Sequence, residues 1–191
     1  NTTGANNVAC GYQALHNNTT ASYNTAVGQN ALATNTTGQY QTAMGQGALF
    51  ASNADHNSAF GVSALSACTT GVHNTAMGRN AAASLTTGTN NVAIGNYTCA
   101  GTVTGASNIG VGYAALNALS TGSNNVAVGR DALLSVTTHG ACTAVGHKAA
   151  RENTVNGTTA IGYHALLSNT TATGNVAVGA YALDASNGND N

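Results

Sequence analysis

The sequence lacks Trp and Pro and carries very little charge. Only 5% of its 191 residues are charged, whereas an ordinary soluble domain has about 25%. The net charge of −1 and the four Lys and Arg residues provide no basic surface for phosphates, which argues against nucleic-acid binding. No run approaches the roughly 18 apolar residues of a membrane-spanning helix, and the N-terminus lacks a secretion-signal pattern. We therefore expect a mature protein or an excised fragment, with no nucleic acid partner and no membrane insertion.

Side-chain sets for catalysis or metal binding are also missing. No Ser-His-Asp set, carboxylate pair or phosphate loop stands apart from the rest of the chain, so we predict no catalytic residue and no enzyme. His147 and His164 do not match a metal geometry, and the acidic residues are too few for a calcium-binding β-roll. The cysteines form no CxxC pair, which leaves free thiols or one long-range disulfide. They are Cys10, Cys68, Cys99 and Cys142. We expect no metal and no cofactor.

What the sequence does contain is an internal repeat, Asn-x-Ala-φ-Gly-x-x-Ala-Leu, in which φ is apolar. Its glycines are Gly11, Gly28, Gly45, Gly61, Gly78, Gly95, Gly112, Gly129, Gly146, Gly162 and Gly179. The spacing is 17 residues throughout except for two spacings of 16. The repeat therefore covers residues 1–191 as a single domain of eleven copies.

Each copy predicts one coil, or rung, of an all-β solenoid. A strand of about five residues, such as the one around 91–94, ends at the glycine. A short second extended piece such as 132–133 and a Thr-Thr-Gly corner such as 36–38 would complete the rung. Period-2 alternation and the many Gly, Asn and Thr residues argue against helices. Rungs about 4.8 Å apart would make a rod roughly 50 Å long.

In such a stack, equivalent residues lie over one another and form columns. Four residues before the glycine stands an Asn column, which we expect to be a structural ladder because a stacked amide can donate to and accept from neighbouring rungs. Its members are Asn7, Asn24, Asn57, Asn74, Asn91, Asn108, Asn125 and Asn175. Gln41, Cys142 and Thr158 are the exceptions.

Two apolar columns alternate along the predicted strand. Alanine recurs two residues before the glycine, as in Ala26 and Ala93, and larger apolar residues recur directly before it, as in Met44 and Ile94. A single coil can bury only one face of a strand, so the other apolar face would remain exposed along the whole rod. An exposed ribbon of this kind marks an interaction site, and we expect association with other copies, most simply as a trimer about the long axis.

An aromatic strip in consecutive rungs is the one candidate ligand site. Tyr23, Tyr40, His56 and His73 share one column. These rings could contact sugars, or they could simply pack from rung to rung. The sequence also contains seven Asn-x-Ser/Thr sequons, which either are glycosylated or occur by chance in a chain rich in Asn and Thr. They begin at Asn1, Asn17, Asn18, Asn35, Asn96, Asn156 and Asn169.

The segments Asn-Asn-Val-Ala-Ile-Gly at 90–95, Asn-Asn-Val-Ala-Val-Gly at 124–129 and Asn-Val-Ala-Val-Gly at 175–179 resemble the head repeats of trimeric autotransporter adhesins. The flanking Thr-Thr-Gly and Ala-Leu pieces are similar to repeats of phage tail-fibre-domain proteins. The resemblance implies a left-handed β-roll, usually trimeric, that projects and adheres outside the cell or from a virion. The rung of about 17 residues is longer than the adhesin repeat.

Three functions are compatible with these features. The first is a structural fibre or shaft segment on a bacterial surface or a phage virion, self-associating as a homotrimer or as a head-to-tail filament. The second is an adhesin module that binds surface glycans or a receptor. The third is an ice-binding solenoid, which the placement of Thr mainly at corners disfavours.

Overall fold

The computed structural model describes residues 2–184, which form a β-solenoid with no helix in that range. Its strands are Val8–Cys10 (β1), Thr25–Val27 (β2), Thr42–Met44 (β3), Ser58–Phe60 (β4), Thr75–Met77 (β5), Val92–Ile94 (β6), Ile109–Val111 (β7), Val126–Val128 (β8), Thr143–Val145 (β9), Thr159–Ile161 (β10) and Val176–Val178 (β11). They form one sheet in chain order, and every neighbouring pair is parallel. The fold class predicted by the repeat is thus confirmed. No helix long and apolar enough to cross a membrane occurs within residues 2–184.

The pairing register places equivalent repeat positions directly beside one another. Ala76 of β5 pairs with Ala93 of β6, and Met77 pairs with Ile94. The same register is kept across the 16-residue rung, where Ala43 pairs with Ala59. The shorter rungs therefore absorb their missing residue in the connecting coil, and the columns remain continuous through the sheet.

The core is built of small residues and leucines. From β2 onward the strand alanines, such as Ala26, are at most 1% exposed, and most of the leucines four residues after a glycine, such as Leu32 and Leu65, are completely covered. A third buried column seven or eight residues after the glycine is apolar in the middle of the rod, at Leu85 and Leu119. Alanine at the strand brings the sheet close to the opposite wall of the coil, so there is little interior volume to fill.

The strands are shorter than the sequence predicted, and the second extended piece is absent. Each strand has three residues rather than about five. The predicted piece at Ala132–Leu133 lies in a turn, and Leu133 has a φ of 49°. Backbone with positive φ cannot continue a strand, so the chain turns there instead.

Three further columns of each rung have left-handed backbone in residues other than glycine. They lie five residues before the glycine and two and four residues after it, as in Asn90 (φ 57°), Asn80 (φ 55°) and Leu65 (φ 50°). Such residues ordinarily cost roughly 1–2 kcal/mol each relative to glycine. The stack tolerates this cost because each left-handed residue turns the chain while its amide still bonds to a neighbouring rung, as Leu65 N does to Ala81 O at 3.0 Å.

The repeat glycine itself combines positive φ with a close approach between rungs. Gly112 has a φ of 129°, and a Cβ atom built on it would lie 2.7 Å from the carbonyl carbon and oxygen of Gly129. No other residue type fits such a distance without separating the rungs. The glycine column therefore explains why the repeat is so regular in sequence.

Candidate functional site

The outward face of the sheet is the largest specialised surface of the rod. It consists of two columns, the first and third residues of each strand, and is called the sheet face below. In β6 these are Val92 and Ile94, while Ala93 between them points to the core and is 1% exposed. Met44, Met77 and Ile94 remain 44%, 45% and 37% exposed. The strand is thus apolar on both sides, with one side buried and the other in solvent.

The sheet face has no charged side chain in β1 to β11. The third residue of each strand is apolar, whereas the first is Thr or Ser in six strands and Val or Ile in the other five. From β6 to β11 every outward residue is Val, Ile or Thr. Such side chains have few rotamers, so the face is stiff as well as apolar. The structure also places Thr residues here that the sequence analysis had assigned mainly to corners, namely Thr25, Thr42, Thr75, Thr143 and Thr159.

The Asn column forms a buried hydrogen-bonded ladder. The amide N–H of Asn91 donates to Oδ1 of Asn74 at 3.0 Å, and the N–H of Asn108 donates to Oδ1 of Asn91 at 3.0 Å. In the column from Asn7 to Asn125, each asparagine Nδ2 group also donates to the corner carbonyl of the next rung, as Asn91 does to Gly105 O at 3.0 Å. The column therefore joins adjacent rungs and the corner backbone within the core, as far as Cys142, whose N–H donates to Asn125 Oδ1 at 3.1 Å.

The ladder is interrupted next to each 16-residue rung. Gln41 N–H donates to Asn24 Oδ1, but its own side chain accepts from Ser52 Oγ at 2.6 Å instead of continuing the column. At the other shortened rung, Thr158 Oγ1 donates to Asn153 Oδ1 at 3.0 Å. Gln41 and Thr158, which replace Asn in the column, therefore form different hydrogen bonds next to the two rungs that are one residue shorter. Asn7 is half-buried at the first rung, and Asn175 is buried at the last.

The aromatic strip is a continuous stack of rings. The centroids of Tyr23 and Tyr40 are 5.0 Å apart, those of Tyr40 and His56 are 5.0 Å apart, and those of His56 and His73 are 5.1 Å apart. The rings are parallel within 4°. Tyr23 and Tyr40 are about half exposed, but the ring faces cover one another. A sugar stacks on a free ring face, so this geometry favours cross-rung packing over a sugar platform along the strip.

A second aromatic surface was not found from the sequence. One or two residues after the glycines of four consecutive rungs lie Arg79, Tyr97, Tyr113 and Arg130, which we call the Arg–Tyr row. Tyr97 stands two residues after its glycine, whereas the other three stand one residue after theirs. A search by repeat position therefore does not place Tyr97 with the other three. Nearer the C-terminus, Tyr163 and His164 stack at 4.2 Å and contact His147 and Tyr181.

Titratable groups are few and form no reaction centre in residues 2–184. Desolvation by burial, with Lys148 and His147 nearby, lowers the pKa of His164 below its ordinary value. No group of three or more His, Cys, Asp or Glu side chains in the described part of the chain could hold a metal ion. The surface formed by these residues also has no pocket.

The four cysteines are free thiols. Cys10 is exposed at the end of β1 on the sheet face, whereas Cys68, Cys99 and Cys142 are buried in different columns. Burial raises the pKa of Cys68 to about 11 and that of Cys99 to about 12. The buried thiols therefore stay protonated and serve as small core residues.

The structure separates the sequons into two groups. Asn18, Asn35 and Asn169 are buried, with Nδ2 bonded to a backbone carbonyl, as Asn35 Nδ2 donates to Gly38 O at 2.9 Å. A glycan could not be attached to these amides in the folded rod. Asn17, Asn96 and Asn156 are exposed. Asn1 lies outside the described residues.

No protein-family model matches this chain, and neither the curated proteins nor the solved structures include one that matches it significantly.

Proposed function

We propose that this chain is a structural segment of an extracellular or virion fibre that self-associates through its sheet face. The observation that carries the proposal is the sheet face itself, which has no charged residue on any of the eleven strands and carries a continuous apolar column at the third strand position. Met44, Met77 and Ile94 of this column are between 37% and 45% exposed in the single chain. Contact with another copy would cover them.

The size of the sheet face supports a partner of the same kind. Eleven rungs of about 4.8 Å and three residues of about 3.3 Å give a strip about 50 Å long and about 10 Å wide. An uncharged, largely apolar strip of about 500 Å² is at the upper end of the apolar patches that soluble monomers expose. The sheet face of a second or third copy has the same composition and the same length. Packing of several sheet faces about a common axis, with three copies as the simplest arrangement, would remove this strip from water.

The proposal is tested by placing charges on the sheet face. We expect the full chain to sediment as an oligomer at micromolar concentration, and the double variant Met44→Asp/Met77→Asp to sediment as a monomer. Two buried carboxylates without partners in each chain would cost more than the contact gains. Gln29→Asp/Gln46→Asp is the matched control, because it adds the same charge at exposed positions outside the sheet. Circular dichroism should show the same spectrum for all three proteins.

A wild-type chain that sediments as a monomer at micromolar concentration would overturn the proposal. So would an oligomer that survives the Met44 and Met77 substitutions while the control dissociates. Head-to-tail growth is a variant of the same proposal, and it predicts a sedimentation coefficient that rises continuously with concentration. A closed trimer predicts one species over a wide concentration range.

A further inference from the structure

All positive charge of the protein lies on one part of the rod. The four cations follow the glycines of only three rungs, and they are Arg79, Arg130, Lys148 and Arg151. Three of them stand one or two residues after their glycine, on the same coil segment as the tyrosines of the Arg–Tyr row. Because Arg79 and Arg130 stand beside tyrosines, this coil segment is a candidate ligand site.

The Arg–Tyr row is a physically continuous arrangement. The guanidinium carbon of Arg79 lies 5.9 Å from the ring centroid of Tyr97, and that of Arg130 lies 5.7 Å from the ring centroid of Tyr113. The two tyrosine rings are 6.0 Å apart and meet edge to face at 72°. The order along the rod is therefore cation, ring, ring, cation. Three steps of about 4.8 Å separate the two arginines, which gives a row about 14 Å long.

The cations of the row keep hydrogen-bonding capacity for a ligand. None of the ion pairs among residues 2–184 includes Arg79. Arg130 Nε lies 3.3 Å from Asp131 Oδ2, but the Arg130 side chain is still 64% exposed. Contact with a ring face orients a guanidinium while its in-plane N–H groups remain available. The row thus presents two oriented forks with a net positive charge.

We infer that the Arg–Tyr row binds a linear acidic polysaccharide whose sugars carry carboxylates. A planar carboxylate matches the guanidinium fork in a bidentate contact. The tyrosine rings hold the two guanidinium groups in place, and their O–H groups can form hydrogen bonds with the hydroxyl groups of sugar rings. Because the row is straight and has no pocket, it suits a stiff polymer that lies along the surface rather than a ligand that must enter a cavity. This inference concerns a surface outside the sheet face and does not depend on self-association.

The test is calorimetric titration of the full chain with an oligogalacturonate, in low salt and again at higher salt. We expect saturable binding that weakens with salt. Arg79→Gln and Arg130→Gln should each lower the affinity about tenfold, because each removes a charge-assisted contact. Tyr113→Leu should lower it about fivefold. Arg151→Gln is the matched control, since it removes a cation beside Glu152 and outside the row, and it should change the affinity less than about twofold.

Two further ligands distinguish sugar recognition from simple attraction of charge. Poly-glutamate carries carboxylates without sugar rings, and dextran carries sugar rings without charge; we expect both to bind at least about tenfold more weakly than the oligogalacturonate. Binding of poly-glutamate with equal affinity, equal loss of affinity in Arg151→Gln, or no saturable binding would each overturn the inference. The Met44→Asp/Met77→Asp variant should retain the wild-type affinity for the oligogalacturonate per chain. Polysaccharide binding and self-association are therefore tested independently.

Discussion

At the scale of single residues, the Asn column shows how an almost uncharged protein can satisfy a buried polar backbone. One amide bonds to a neighbouring amide, to the backbone N–H of the next rung and to a corner carbonyl, as Asn91 does with Asn74, Asn108 and Gly105. Alanine at the same place would leave these groups without partners and without access to water. The ladder therefore stabilises the stack chiefly because its removal would leave buried polar groups without hydrogen-bond partners.

Asn91→Ala should lower the free energy of unfolding by about 3 kcal/mol, since at least two buried groups lose their partners at about 1–3 kcal/mol each. Chemical denaturation followed by circular dichroism measures this change. Asn17→Ala is the control, because Asn17 is exposed, and it should change the free energy by less than about 0.5 kcal/mol. Equal free energies of unfolding for the two variants would show that the hydrogen bonds of the ladder do not stabilise the fold.

The cysteines provide a test of which residues are core. At pH 8 we expect a thiol reagent to label Cys10 quickly, because it is exposed, and to label Cys68, Cys99 and Cys142 only after unfolding. The pKa of Cys68 is raised from 9.0 to about 11 in the folded chain. This thiol therefore contributes stability below about pH 9, and the contribution is lost as the pH rises toward 11 because the unfolded chain releases its proton first. Rapid labelling of all four thiols in the native protein would contradict this assignment.

At the scale of the rung, the left-handed residues are the element that sequence reasoning did not predict. Asparagine commonly adopts left-handed backbone, whereas leucine rarely does. Leu65, Leu116 and Leu166 are nevertheless left-handed. The sequence predicted a second extended piece for the leucine of this column, as at 132–133, whereas its backbone is left-handed. Contacts between rungs decide the conformation here, and such contacts are invisible in the sequence of one repeat.

Ser107 offers a direct test of the left-handed columns. It is exposed and has a φ of 59°, so Ser107→Gly should raise the free energy of unfolding by about 0.5 kcal/mol, the relief of left-handed strain minus the added flexibility of the unfolded chain. Ala118 is also exposed but is not left-handed. Ala118→Gly should therefore lower the free energy by about 0.5–1 kcal/mol. Opposite signs in the same denaturation assay are the expected outcome, and destabilisation by both would refute the assigned turn geometry.

The repeat period, the parallel stack and the buried Ala column were predictable because they follow from residue spacing alone. The Arg–Tyr row was not, since Arg79, Tyr97 and Arg130 occupy two offsets from their glycines and become neighbours only when the rungs are stacked. Strand length was also overestimated around 91–94, where only Val92–Ile94 is extended. Periodic features are therefore visible in the sequence, whereas features that combine different columns require the structure.

At the scale of the whole molecule, the rod separates two tasks onto two surfaces. The sheet face is uncharged over its whole length and apolar in its third-residue column, as expected for the centre of an interface between copies. The Arg–Tyr row lies on the coil after the glycines and carries Arg79 and Arg130. In the proposed fibre the faces of several rods pack together while the rows remain accessible to a polysaccharide outside.

Cryo-electron microscopy of the full chain at micromolar concentration tests the central claim most directly. The account predicts bundles of parallel rods in which rungs about 4.8 Å apart run along the axis and the Met44, Met77 and Ile94 column lies at the contact between copies. Isolated single rods, or bundles in which this column faces solvent, would contradict it.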